Sequence, residues 1–67
     1  MKFEELKIGQ VCQYNKGNKQ VYKVTYIDRN DNTAILAYRY GEGRYCAIHF
    51  EEKHLQFFNL IKSAKVV

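Results

Sequence analysis

The 67-residue sequence has no proline, four glycines and two cysteines, and no apolar run approaches the roughly 20 residues that a membrane-spanning helix needs. The opening segment, MKFEELKIGQ, alternates charged with apolar residues and lacks the apolar centre of a signal peptide. We therefore expect a cytoplasmic protein that makes no membrane contact. A chain this short predicts a single domain, residues 1–67, that buries only about 60% of its unfolded surface.

The cysteines, the composition and the net charge indicate what kind of protein this is and what it can contact. Without a secretory signal, Cys12 and Cys46 are expected to be reduced thiols that pack as small apolar side chains. The composition, 46% hydrophobic and 27% charged, is typical of a folded globular domain. A formal net charge of +4 permits contact with nucleic acid or with an acidic protein.

Clusters of Asn, Asp and Gly at 15–18, 28–32 and 41–43 predict three turns. The segments between them are rich in Val, Ile, Thr and Tyr, which favours strands over helices. We predict an all-β fold with five strands, at 10–14, 19–27, 33–40, 44–50 and 56–61. One helical turn is expected at 51–54, before the last strand, and a frayed tail at 62–67.

The turns also predict how the strands pair. The second turn is expected to place Ile27 opposite Thr33, and the third to place Tyr40 opposite Arg44. The predicted core face then consists of three rows: Tyr22, Tyr38 and Cys46; Val24, Leu36 and Ile48; Tyr26, Ala34 and Phe50. Its predicted covering residues are Leu6, Ile8, Val11, Leu55, Phe57 or Phe58, and Leu60. The opposite, outer face has the rows Val21, Arg39 and Tyr45; Lys23, Ala37 and Ala47; Thr25, Ile35 and His49.

The stretch LKIGQVCQYNKG, followed by three meander strands, a helical turn and a short last strand, resembles the layout of SH3-like small barrels, including the Tudor and KOW types. Gly9, Val11 and the Lys16-Gly17 pair occupy positions similar to those of the KOW pattern. The resemblance implies a five-stranded barrel that covers its core by closing on itself. An open OB-like barrel has similar strand content, but it needs a longer chain.

No constellation of residues predicts catalysis or metal binding. Cys46 and His49 are three positions apart on a predicted strand, so their side chains point to opposite faces and do not converge on one ion with Cys12 or His54. The adjacent acids Glu51 and Glu52 diverge, and their place at the start of a helical turn suits its dipole. We therefore expect no enzymatic activity, no metal site and no cofactor.

Two binding functions fit the outer face, and a solvated face or a homodimer contact is a third interpretation. A protein partner, in an inhibitory or regulatory complex, would use the flat alanine centre and its aromatic and charged surroundings. The predicted contacts are Lys23, Ile35, Ala37, Arg39, Tyr45, Ala47 and His49. Single-stranded nucleic acid would stack on tyrosines and pair its phosphates with cations. The predicted contacts are then Lys16, Lys19, Lys23, Arg39, Arg44, Tyr40 and Tyr45.

Overall fold

The computed structural model describes residues 2–62 and has a mainly β architecture. Its strands are β1 (Val11–Tyr14), β2 (Val21–Asp28), β3 (Thr33–Gly41), β4 (Arg44–Glu51) and β5 (Phe58–Lys62). Two short 3₁₀ helices accompany them, η1 (Phe3–Glu5) and η2 (Glu52–Phe57). The predicted all-β class, the five strands and the helical turn before the last strand are confirmed. Lys62 ends β5, and the rest of the predicted tail lies outside the described residues.

The strands form one antiparallel sheet in the order β4-β3-β2-β1-β5. No backbone ladder joins β4 to β5 within residues 2–62, so the sheet does not close on itself as the barrel layout implied. The sheet bends over the core instead, and the ring centroids of Phe50 in β4 and Phe58 in β5 lie 5.1 Å apart. The η2 turn links these two strands, which allows side-chain contact without backbone pairing.

The pairing of β3 with β4 follows the prediction along most of its length. Tyr38 pairs with Cys46, and the rows at Leu36 and Ala34 are also as predicted. The predicted pair of Tyr40 with Arg44 is wrong, because the register shifts at Tyr40 and Gly41 pairs with Arg44. Glu42 and Gly43 then form the loop, and the φ of +69° at Gly43 is one that glycine adopts at little cost.

The pairing of β2 with β3 also contains a shift. Val24 pairs with Leu36 as predicted, but the register changes between Val24 and Tyr26. As a result Ile27, not Tyr26, lies opposite Ala34, and Asp28, not Ile27, lies opposite Thr33. Thr25 is the extra residue, and its hydroxyl donates a hydrogen bond to the Ile35 carbonyl at 3.0 Å. The bulge turns Tyr26 outward, where it takes the place predicted for Thr25.

The core lies between the inner face of the sheet and the two 3₁₀ helices. Its buried residues are Phe3, Leu6, Cys12, Tyr22, Val24, Ala34, Leu36, Leu55 and Phe58. Tyr14, Ile27, Tyr38, Ile48 and Phe50 pack against them. The predictions for Leu6, Leu55 and the Phe57 or Phe58 position are confirmed. Those for Ile8, Val11 and Leu60 are wrong: Ile8 and Leu60 are 60% and 46% exposed, and Val11 pairs with Lys23 on the outer face.

Arg29, in the β2–β3 turn, holds the N-terminal segment against the sheet. Its guanidinium donates to the carbonyl oxygens of Phe3 at 3.0 Å and Leu6 at 2.7 Å. The same group lies 5.4 Å from the centroid of the Phe3 ring. One side chain therefore fixes η1, whose Phe3 and the following Leu6 cover one side of the core.

We expect Arg29→Ala to lower the free energy of unfolding by about 1–2 kcal/mol, since the two charge-assisted hydrogen bonds to the Phe3 and Leu6 carbonyl oxygens are lost. Urea denaturation of the two proteins measures the difference. Arg29→Lys should recover less than half of it, because an ammonium group cannot reproduce the fork of donors. A loss below about 0.3 kcal/mol in Arg29→Ala would contradict the role of Arg29 in holding the N-terminal segment against the sheet.

Candidate binding face

The outer face of the sheet is made of the side chains that alternate with the core residues. Because paired residues share a face, two adjoining rows can be followed across the strands. One contains Lys62, Val11, Lys23, Ala37 and Ala47. The other contains Asn59, Gln13 and Val21, and continues with Arg39 and Tyr45 on the neighbouring hairpin. We call these ten residues the central rows. The next row has Tyr26, Ile35 and His49.

The small side chain of Ala37 leaves a hollow in the central rows. Ala37 lies opposite Lys23 on one side and opposite Ala47 on the other. A depression of about 340 Å³ opens there, bordered by Val11, Val21, Lys23, Arg39 and Tyr45 among others. Tyr45 is 67% exposed and its ring forms one wall. The hollow combines an apolar floor with cationic and aromatic sides.

All seven residues predicted to bind a protein lie on this one face. Lys23, Ala37, Arg39, Tyr45 and Ala47 belong to the central rows, and Ile35 lies directly opposite His49 in the next row. Sequence reasoning missed Tyr26, which is 54% exposed and pairs with Ile35. No pattern in the sequence marks the bulge that turns Tyr26 outward.

The residues predicted to bind nucleic acid are divided between the outer face and one end of the sheet. Lys23, Arg39 and Tyr45 are on the face. Lys16 and Lys19 lie in the β1–β2 turn, and Tyr40 and Arg44 flank the β3–β4 turn at the same end. The Lys16 ammonium is 4.0 Å from the centroid of the Phe57 ring, so this cation already has an intramolecular contact.

Charge is distributed unevenly along the strands. The central rows contain three cations, Lys23, Arg39 and Lys62, and no carboxylate. At the far end of the face the row that pairs Asp28 with Thr33 and Thr33 with Glu51 is acidic. Lys62 was not among the predicted contacts, because its position in β5 opposite Val11 could not be read from the sequence. The face therefore has a basic middle and an acidic end.

The two thiols have different surroundings. Burial raises the pKa of the Cys12 thiol from its ordinary 9.0 to about 11. Cys46 is half-buried beside Tyr38; its hydrogen bond with Tyr38, and the charge it takes on when ionised, raise the pKa of the Tyr38 hydroxyl. Neither cysteine is in a disulfide. A buried thiol with a raised pKa fits a core residue rather than a nucleophile.

We expect the folded protein to react with a thiol reagent at one site. A pKa raised by about two units leaves Cys12 with roughly a hundredfold less thiolate at pH 8, and burial also excludes the reagent. Mass spectrometry after brief labelling should therefore find the label on Cys46 with Cys12 unmodified. Both should react once the chain is unfolded in guanidinium chloride. Equal labelling of the two thiols in the folded protein would contradict the buried placement of Cys12.

His54 and Lys53 both interact with Glu51 at the start of η2. His54 accepts a hydrogen bond at Nδ1 from the Glu51 backbone N–H at 3.1 Å, which caps the start of η2. The Lys53 ammonium lies 3.5 Å from a Glu51 carboxylate oxygen. Cys46 and His49 point to opposite faces. Across residues 2–62 no three His, Cys, Asp or Glu side chains group closely enough to hold a metal ion.

In the described part of the chain no helix has both the length and the apolar character needed to cross a membrane. Comparison of the chain with protein-family models, with characterised proteins and with solved structures finds no match in any of the three.

Proposed function

We propose that this chain is a small non-enzymatic binding module of the cytoplasm, which acts by occupying a site on a protein partner as an inhibitor or regulator of a larger complex. The observation that carries the proposal is the hollow at Ala37 with Lys23, Arg39 and Tyr45 around it. Exposed tyrosine and arginine beside a low apolar surface is the combination from which protein interfaces draw most of their binding energy.

The size of the face supports a modest interface. The five strands have 4, 8, 9, 8 and 5 residues; at about 3.3 Å along a strand and about 4.8 Å between strands, they give a face of roughly 500 Å². Stable complexes bury about 800 Å² on each partner. The outer face alone therefore suits a weak or transient complex, or one in which a single segment of the partner supplies the contacts.

A second candidate function is binding of single-stranded nucleic acid. The observation that favours it is that the β1–β2 and β3–β4 turns lie at the same end of the sheet, which places Lys19 and Arg44 at the end where Arg39 lies. Tyr40, 60% exposed, is available there for stacking. The contact between Lys16 and Phe57 weakens this candidate, because a phosphate would compete with the ring for the ammonium group.

Titration with labelled single- and double-stranded oligonucleotides separates the two functions, because binding through phosphates weakens steeply between about 50 and 200 mM salt. The protein-binding proposal expects no dissociation constant below about 100 µM at the lower salt concentration. Micromolar, salt-sensitive binding would contradict it. In that event a triple variant with Lys16, Lys19 and Lys23 changed to Glu should flatten the salt dependence, and an unchanged slope would remove these lysines as the contacts.

A further inference from the structure

Within residues 2–62, the central rows contain three cations and no carboxylate that could pair with them. Lys23 and Lys62 flank Val11, each as its direct strand neighbour. Arg39 lies beside Tyr45, and its Nε donates to the Gly41 carbonyl at 3.2 Å, which extends the side chain along the strand toward the turn. The ion pair found within residues 2–62 joins Lys53 with Glu51. It lies at the far end of the face. The central rows therefore offer three positive charges to a ligand.

The same rows offer one place for an apolar side chain. The hollow above Ala37 has about 340 Å³ of open space, and its border includes Val11, Val21 and Tyr45. A leucine or phenylalanine side chain fits a space of this size, and Lys23 and Arg39 stand at its edge. A ligand that fills the hollow thus carries an apolar group with negative charge on both sides of it.

We infer that the outer face binds an acidic segment of the partner protein, with one apolar side chain of the segment in the hollow at Ala37 and flanking carboxylates against Lys23, Arg39 and Lys62. This inference rests on the proposed function and specifies the chemistry of its partner. The acidic end of the face, with Asp28 and Glu51, then repels the carboxylates and sets the direction in which the segment lies.

Nucleic acid fits these rows less well. A phosphate backbone has a charge at every residue and is held by a continuous track of cations. Here the cations are separated by Val11, Val21 and Ala37, and the track ends at an acidic row. An acidic peptide needs negative charge only on each side of its apolar anchor, which is the spacing that Lys62, Lys23 and Arg39 provide.

The test is titration of the isotopically labelled protein, followed by amide NMR shifts, with a short synthetic peptide that has glutamates on both sides of a central phenylalanine. We expect shifts concentrated at Ala37, Tyr45 and Ala47, and affinity that falls at least about threefold between 50 and 200 mM salt through screening. A peptide with lysines in place of the glutamates should not bind. One with serine in place of phenylalanine should bind at least about tenfold more weakly.

Lys23→Glu should weaken the acidic peptide about tenfold or more. The matched control is Lys19→Glu, which makes the same change in net charge in the β1–β2 turn and should have less than about a threefold effect. Equal losses in the two variants, equal binding of the lysine peptide, or tighter binding of an oligonucleotide than of the acidic peptide would each overturn the inference. If the peptide fails while Ala47→Glu still removes a protein partner, the inference is wrong and the proposed function stands.

Discussion

Replacing Ala47 by Glu is expected to weaken binding of the isolated partner protein at least about a hundredfold while the domain stays folded. Ala47 is exposed and lies directly opposite Ala37, beside the hollow. In the complex the added carboxylate would be buried against the apolar contact, or would meet an acidic segment of the partner. Either cost exceeds the roughly 2.7 kcal/mol that a hundredfold change represents. Isothermal titration calorimetry of both chains with the partner measures the effect.

Two controls separate charge at this face from other causes. The glutamine of Ala47→Gln has almost the same size as the glutamate of Ala47→Glu but no charge, so this variant should lose much less affinity. Asn18→Glu adds a carboxylate in the exposed β1–β2 turn and should bind like the original chain. The unfolding free energy of Ala47→Glu should remain within about 0.5 kcal/mol of the original value, as is usual for exposed positions. Undiminished affinity in Ala47→Glu would remove the outer face as the interface.

The strand pattern of this fold could be predicted from the sequence because local signals agree with one another. The alternation of apolar residues in β3 and β4 and the Gly-Glu-Gly turn specify the same pairs, such as Tyr38 with Cys46 and Leu36 with Ile48. A shift of one residue would expose every core side chain of a strand, so the burial of one face fixes the register. The same constraint put Lys23, Ala37 and Ala47 together on the outer face.

The register shifts at Thr25 and Tyr40 could not be predicted. A bulge adds one unpaired residue, and Thr25 and Tyr40 have no side-chain feature that marks them as that residue. The shift at Thr25 exchanged Tyr26 and Ile27 between the outer face and the core. It therefore added an aromatic side chain to the candidate site, next to Ile35.

Contacts between segments distant in sequence could not be predicted either. Arg29 looked like an ordinary turn residue, but it bonds to carbonyl oxygens 23 and 26 positions away. Lys62 looked like part of a tail, but pairing of β5 with β1 places it beside Val11. Both assignments depend on how the chain ends return to the sheet, and no local pattern encodes that path. The role of Arg29 and the place of Lys62 in the central rows are therefore known from the structure alone.

Replacing Phe58 by Ala is expected to remove at least a large part of the free energy of unfolding at 25 °C. Phe58 is 1% exposed, and its ring lies 5.1 Å from Tyr14, 5.6 Å from Tyr22 and 5.1 Å from Phe50, measured between centroids. It joins both edge strands and β2 in a sheet that has no closing ladder within residues 2–62. Loss of a buried phenylalanine costs about 3–5 kcal/mol. A domain of this length has a total stability of only roughly 3–10 kcal/mol.

A second apolar residue of β5 provides the control for Phe58→Ala. Leu60, two residues further along β5, pairs with Cys12 but remains half-exposed, so Leu60→Ala should cost less than about 1 kcal/mol. Phe58→Leu, which keeps most of the buried volume, should stay folded and lose about 1–2 kcal/mol. Urea denaturation followed by circular dichroism measures all three. Equal costs for Phe58→Ala and Leu60→Ala would show that side-chain contact across the open side of the sheet is not what holds β4 and β5 together.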